Sequence, residues 1–317
     1  MELWIEGQHP RLERCDVGLA AEAPPLWRLA LTGGASPGFR VVANLGALPR
    51  NNDVLLALVP MVRDRPGYPM FSVLSPSLPL PPEEYQTGIG GHFESVALQF
   101  LAHCIYDAGL SPSARVLDAG CGVGRMAFGL CSYLDAAATY DGFDVVQKWI
   151  LWAQRNISSR LPTFRFAHAD VFNLHYNPQG AVAPDAWAFP YADGAFDFAL
   201  LTSVFTHMRS REVRHYLSEL RRVLAPGARC LCTWFLLNDE TQRLLGTGEG
   251  LQIVHPLGDC FTSNPDLPEY AIGFRDDDVM SWIHEAGFTV QRKLYGSWPK
   301  RRRFVSFQDS LVIQRQP

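Results

Sequence analysis

The stretch that most limits what this chain can fold into is residues 116–125, VLDAGCGVGR. A short apolar run ends in Asp118, and glycines then stand on alternate positions at 120, 122 and 124. Glycine admits positive φ and lets the backbone approach a ligand with no Cβ in the way. Residues 126–134 follow with helical spacing, so the turn aims unsatisfied helix N-terminal amides at whatever lies there. A strand, a glycine turn and a helix in this order make a nucleotide-type pocket. Gly122, Gly124 and Ala127 satisfy G-x-G-x-x-A, a weak dinucleotide signature. Asp118 argues against that ligand, because a carboxylate at the strand end repels pyrophosphate and suits an ammonium group.

The periodicity on either side says what frame holds this turn. From Phe93 apolar residues fall three and four apart as far as Ala108, with Gly109 as a stop, which predicts a helix. Strands at 115–118, 139–143, 164–168, 196–202 and 228–236 then alternate with helices at 126–134, 146–157 and 210–224. Such alternation builds a parallel sheet covered on both faces. The end breaks the pattern. An acid-started helix opens at Asp276 and stops at Gly287, and the last two apolar runs can only pair as a hairpin. A dinucleotide dehydrogenase would continue with parallel units instead. The expected class is α/β: a seven-stranded, mostly parallel sheet with helices on both faces and a terminal antiparallel hairpin.

Residues 1–76 read differently, as short apolar or alternating runs separated by AEAPP, GGASPG and RDRPGYP. They predict a small all-β module whose role the sequence does not state. A Pro/Gly-rich linker is expected at 77–92, where prolines favour an extended path, and the second domain at 93–317.

The chain has 317 residues, 28 Lys plus Arg against 32 Asp plus Glu, a net charge of −4 and 47% apolar residues. This balance gives no general electrostatic reason to bind nucleic acid. No run approaches the roughly 20 apolar residues of a spanning helix, and the N-terminus has no signal-like apolar core. A cytoplasmic protein is expected. The seven cysteines include no C-x-x-C, which fits reduced thiols. Cys230 and Cys232 share a strand face without pairing. Cys121 sits in the glycine turn, either as a small residue or as a thiol activated by helix-end amides.

Taken together, the motifs resemble those of the class I S-adenosylmethionine-dependent methyltransferases, in the family's order and over residues 88–315. The resemblance implies the sheet order 3-2-1-4-5-7-6 with strand 7 reversed, and S-adenosyl-L-methionine as cofactor. Asp118, Gly120, Cys121 and Gly122 then match the first cofactor motif. Asp144, with Val145 beside it, matches the acidic position that holds the ribose hydroxyls, and Asp141 is its rival. Asp170 and Val171 match the position that meets the adenine. FPYADGAFDFALLTSVFTHM (189–208) looks like the fourth motif, which brings Thr202, Ser203, Thr206 and His207 towards the reacting methyl group, with Thr202 on the cofactor side. His92 lies in a segment that in this family often closes over the cofactor, and it is a second candidate for substrate contact. The departures are insertions at 173–187 and 246–275, which should shape the acceptor pocket.

Methyl transfer from a sulfonium is an in-line displacement, so alignment and exclusion of water dominate. An alcohol acceptor also needs a base, and His207 is the candidate, with helix capping or substrate orientation as the bland alternative. The expected function is methylation of a small-molecule or saccharide-type acceptor, at oxygen. The alternatives are an N-methyltransferase, or a non-catalytic sensor of S-adenosylmethionine or a nucleotide. Asp276, Asp277 and Asp278 are explained by the dipole of the helix they open, so no metal is expected. The run 300–303, KRRR, reads as a solvated turn, with an anionic partner or membrane surface as the sharper reading. The acceptor's identity and the oligomeric state stay open, a homo-oligomer being compatible with the sequence.

Overall fold

A computed structural model of the chain describes residue 71 and residues 78–317 with their side chains, and within 1–77 the backbone of strands. Those early strands pair antiparallel throughout. Glu2–Glu6 lies against Gly38–Val42, and Arg14–Leu19 lies between Trp27–Ala30 and Val54–Val62. The long strand Val54–Val62 also pairs with Arg65–Pro66 and Met70–Leu74. The all-β reading of this region therefore holds among the described residues.

The rest is built on one sheet. Its strands are β1 (Arg115–Ala119), β2 (Thr139–Asp144), β3 (Phe164–His168), β4 (Phe196–Leu201), β5 (Leu224–Trp234), β6 (Phe288–Leu294) and β7 (Asp309–Arg315). They lie side by side in the order β3-β2-β1-β4-β5-β7-β6. Strands β1 to β5 are parallel, and β7 runs antiparallel between β5 and β6. The central strands β1, β4 and β7 are buried on both sides because alternate residues enter different cores. Leu117, Ala199 and Leu311 face one, while Val116, Leu200 and Val312 face the other.

The covering helices are α1 (Glu83–Gly88), α2 (Phe93–Ala102), α3 (Arg125–Leu130), α4 (Gln147–Ala153), α5 (Ser210–Val223), α6 (Asp239–Leu245) and α7 (Asp276–Glu285). In α5 the residues Val213, Tyr216, Leu217, Leu220 and Val223 are all buried, at the spacing of one helical face. Each such side chain contributes about 1.5–3 kcal/mol by leaving water. Both α2 and α4 end in a π-helical turn, at His103–Asp107 and Gln154–Ser158.

Three expectations change in detail. The linker is not simply extended: Leu78 is buried in the sheet core, and Glu83 and Glu84 open α1 after Pro82, where acidic residues suit the helix dipole. The helix after the glycine turn stops at Leu130 rather than Leu134. The insertion at 246–275 is not a plain loop, because His255–Leu257, Cys260–Thr262 and Ile272–Arg275 form a small sheet with Leu236–Leu237.

Candidate active site

Parallel strands leave a crevice at their carboxyl ends where β1 and β4, which cross over in opposite directions, diverge. A cavity opens there with about 940 Å³ of atom-free space, open solvent at its mouth included.

The floor is the glycine turn. Gly120 and Cys121 donate their backbone N–H groups to the Phe143 carbonyl at 2.8 and 2.9 Å, which ties the turn to β2. Gly120 has φ 80°, and a Cβ there would stand 2.3 Å from the Val204 side chain, so only glycine allows β1 and the chain after β4 to close up. Cys121 is buried, and burial pushes its thiol well above the ordinary range. It is a small turn residue and not an activated thiolate.

Asp144 ends β2 and lines the cavity. Its Oδ2 accepts from Gly122 N–H and its Oδ1 from Val146 N–H, both at 2.8 Å. Burial raises the carboxyl to about 6, with the two backbone donors pulling the other way. A carboxylate oxygen has a second lone pair, so Asp144 can still accept from two ligand hydroxyls. Its rival Asp141 is engaged elsewhere, in a two-pronged ion pair with Arg165 at 2.9 and 2.6 Å.

Other residues singled out in the sequence divide. Gly122, Val145, Val171, Thr202, Ser203 and His207 all line the cavity. Asp118 does not: it is 0% exposed beneath the turn, where Tyr140 donates to its Oδ2 at 2.5 Å and its Oδ1 has no partner. Burial raises it to about 7. Asp170 is exposed and off the wall, and only its backbone is tied in, accepting from Val182 N–H. Thr206 is fully buried in the turn after β4 and is not on the cavity wall. His92 is exposed and caps α2, with its Nδ1 accepting from Ser95 N–H. These four stand outside the cavity wall. Asp276 opens α7 and pairs with Lys293 at 2.6 Å.

Ser203 has φ 59°, an uncommon conformation for a residue with a side chain. It is held there from both ends: its N–H donates to Thr233 Oγ1 at 2.7 Å and its hydroxyl to Gln308 Oε1 at 3.0 Å. Backbone strain of this kind gathers at functional sites.

His207 follows in a short turn, Phe205–His207. Its Nδ1–H donates to the Glu269 carbonyl at 2.8 Å, and the Tyr176 ring meets it edge-on at 5.2 Å. That bond sets the tautomer and leaves the Nε2 lone pair available. Burial pushes the imidazole down to about 4, against the raising effect of the Glu269 carbonyl. The partner Glu269 comes from the 246–275 insertion. Asn173, from the other insertion, donates to the His207 carbonyl at 3.2 Å.

Several wall residues were not singled out in the sequence. Ile89 comes from the linker, and Arg125 pins that segment over the cavity by donating to the Gly90 carbonyl at 2.6 Å. Burial lowers the Arg125 guanidinium to about 10. Tyr176 comes from the 173–187 insertion, and Glu212 and Tyr216 from α5. Burial raises the Glu212 carboxyl while Arg209 N–H, donating to Oε2 at 2.8 Å, opposes the shift. Arg125 directly follows the third glycine, and Glu212 stands at the capping position of α5, so each looked like a structural residue.

A sheet ordered 3-2-1-4-5-7-6 with its seventh strand reversed, a glycine turn after strand 1 and a wall carboxylate after strand 2 define a class I methyltransferase frame. Residues 116–227 match the family model described as a methyltransferase domain. An O-methyltransferase of Pyrenophora dematioidea is 30% identical over 129 residues, 41% of this chain and 42% of that protein. O-methyltransferase cnsE of Penicillium expansum is 26% identical over 190 residues, 57% of this chain and 55% of that protein. The chain thus spans about half the length of these curated relatives. The solved PH0226 protein of Pyrococcus horikoshii OT3 is 17% identical with a TM-score of 0.47, over 74% of this chain and 92% of that one.

The residues present fit the family's cofactor, S-adenosylmethionine. Asp144 keeps acceptor capacity for ribose hydroxyls, Val145 and Val171 supply apolar wall, and the buried Asp118 Oδ1 is an acceptor without a partner below the glycine turn. Among the described residues no helix is long and apolar enough to cross a membrane.

Proposed function

We propose that this protein transfers the methyl group of S-adenosylmethionine to a hydroxyl oxygen of a small acceptor, with His207 as the base. The observation that carries this reading is His207 itself: a neutral imidazole on the cavity wall, locked by the Glu269 carbonyl with Nε2 as its basic atom. The bound cofactor supplies an electrophilic methyl on a sulfonium. The protein's part is to hold acceptor and donor in line, to exclude water with apolar walls and to receive the hydroxyl proton. A non-catalytic sensor needs no such base beside strand 4. The two relatives named as O-methyltransferases support oxygen as the acceptor atom. Met126, Phe143, Met208 and Tyr216 on the wall favour an apolar or aromatic small molecule over a saccharide, which would need more hydrogen-bonding groups. Turnover of methyl-labelled cofactor against a panel of phenols and aliphatic alcohols tests the reading, and labelling of amines alone would replace it with N-methylation.

On this reading Asp144 carries much of the cofactor affinity. Asp144→Ala removes two charge-assisted hydrogen bonds and should weaken binding by about 1.5–3 kcal/mol, roughly ten- to a hundredfold by calorimetry. Unchanged affinity would move the ribose contact to another residue. The raised carboxyl also sets a pH dependence. Asp144 makes charge-assisted bonds to hydroxyls only when ionised, so affinity should be full well above pH 6 and decline as pH falls through about 6.

We also propose that the chain divides near residue 77, with 77–92 leading into a cofactor-binding domain at 93–317. Support comes from the cavity wall, every residue of which lies at Ile89 or later. A fragment starting at residue 77, which keeps the buried Leu78, should bind S-adenosylmethionine within about threefold of the full chain. A folded fragment that fails to bind would show that the β module belongs to the site.

A further inference from the structure

The segment 295–308 joining β6 to β7 has two halves with opposite character. Its inner half is fixed to the sheet: Trp298 is 1% exposed, and Arg301 is buried against Asp309. Backbone bonds from Ser297 N–H to the Ser306 carbonyl at 2.9 Å and from Trp298 N–H to the Phe307 carbonyl at 3.0 Å close it into a rigid loop. Gln99 in α2 clamps it from outside by donating to the Val305 carbonyl at 2.7 Å.

The outer half displays Lys300, Arg302 and Arg303, all exposed, beside Phe304 and Phe307. These two phenyl groups, at 57% and 56%, are the most exposed large apolar side chains among the described residues. The three cations form no ion pair among the described residues. Arg301, by contrast, is fully engaged by Glu240 and Asp309. The chain carries a net charge of −4, so this cluster is a local feature and not a general basicity. Burial of two such rings in an apolar phase is favourable, and nothing among the described residues supplies one on this face. Fixed aromatic rings flanked by unpaired cations match a bilayer interface, where acyl chains take the rings and anionic headgroups take the charges.

We propose that the 300–307 loop docks the protein on an anionic lipid bilayer. The contact lies next to the cavity, because Gln308 at the foot of the loop accepts from the hydroxyl of Ser203 on the cavity wall.

Flotation of the full-length protein with vesicles tests the proposal, using phosphatidylcholine alone and phosphatidylcholine mixed with phosphatidylglycerol. Binding is expected to the anionic vesicles only, and weaker binding as salt is raised. The double variant Arg302→Ala/Arg303→Ala should partition about thirtyfold less, the loss expected for two surface cations. Phe304→Ser/Phe307→Ser should lose at least tenfold. Both variants alter exposed side chains and should melt as wild type does, which separates docking from folding. No binding to anionic vesicles, or wild-type binding by either variant, overturns the proposal. So does tighter binding to a single-stranded oligonucleotide than to anionic vesicles, which would assign the loop to nucleic acid.

Discussion

Replacing His207 with glutamine should slow single-turnover methyl transfer by roughly a hundred- to ten-thousandfold while leaving cofactor affinity nearly intact. Glutamine keeps a hydrogen-bonding group on the wall but cannot take a proton. An imidazole held at about 4 is neutral across the ordinary working range, so the base form is always present. Its weakness in the ground state is no obstacle, because the acceptor hydroxyl becomes strongly acidic as the new carbon–oxygen bond forms. The O–H pair then stays on oxygen and the proton passes to Nε2. The wild-type rate should therefore be flat through neutral pH and fall only as pH drops through about 4, not near the 6.5 of a free imidazole. If the glutamine variant keeps near-normal rates with the same acid limb, His207 only positions the acceptor and alignment must account for the rate.

How the frame was legible and the site only half so follows from what each depends on. The sheet is encoded in periodicity, glycine turns and a final hairpin, all of them local signals that packing reinforces. The sequence points to Asp144 and Ser203 because one ends β2 and the other lies just past β4, at the carboxyl edge of a parallel sheet where ligands sit. Thr206 stands off the cavity wall because the chain after β4 enters a short helical turn that leaves it fully buried. His92 caps α2, a place a histidine before a helix takes as readily as that of a ligand. Ile89, Tyr176 and Glu269 reach the site only through tertiary placement of the linker and the two insertions. No spacing rule connects Glu269 to His207, yet that carbonyl sets the tautomer of the imidazole. Asp118 and Asp170 carry family positions, but their side chains lie below the turn and in solvent. Any part they take in binding acts through the turn or needs the loops to move.

The second large effect concerns stability and rests on Arg301. Its neighbour Asp309 is 0% exposed and accepts from Leu236 N–H at 2.8 Å, Gly296 N–H at 2.7 Å and Trp298 Nε1–H at 2.7 Å. Arg301 adds the only opposite charge in contact with it among the described residues, with Nη1 at 3.2 Å. The same guanidinium bonds the Gly296 carbonyl and Thr241 Oγ1, reaches Glu240, and lies over the Tyr295 ring at 4.5 Å. It thus joins α6, the 295–308 loop and the start of β7 at one point. Truncation leaves a buried carboxylate without its counter-charge, and breaking one side of a buried pair costs about 3–5 kcal/mol. Burial already raises the Asp309 carboxyl despite its donors, which shows how little solvent can make good the loss. Arg301→Ala should therefore lower unfolding stability by that amount in urea titration. It should also loosen Gln308, and with it the clamp on Ser203 beside the cavity. A loss below about 1 kcal/mol would mean that the three N–H donors alone hold Asp309 and that the charge pair adds nothing. Asp309→Asn with Arg301 intact separates the two, since it removes the charge but keeps one acceptor oxygen for the backbone.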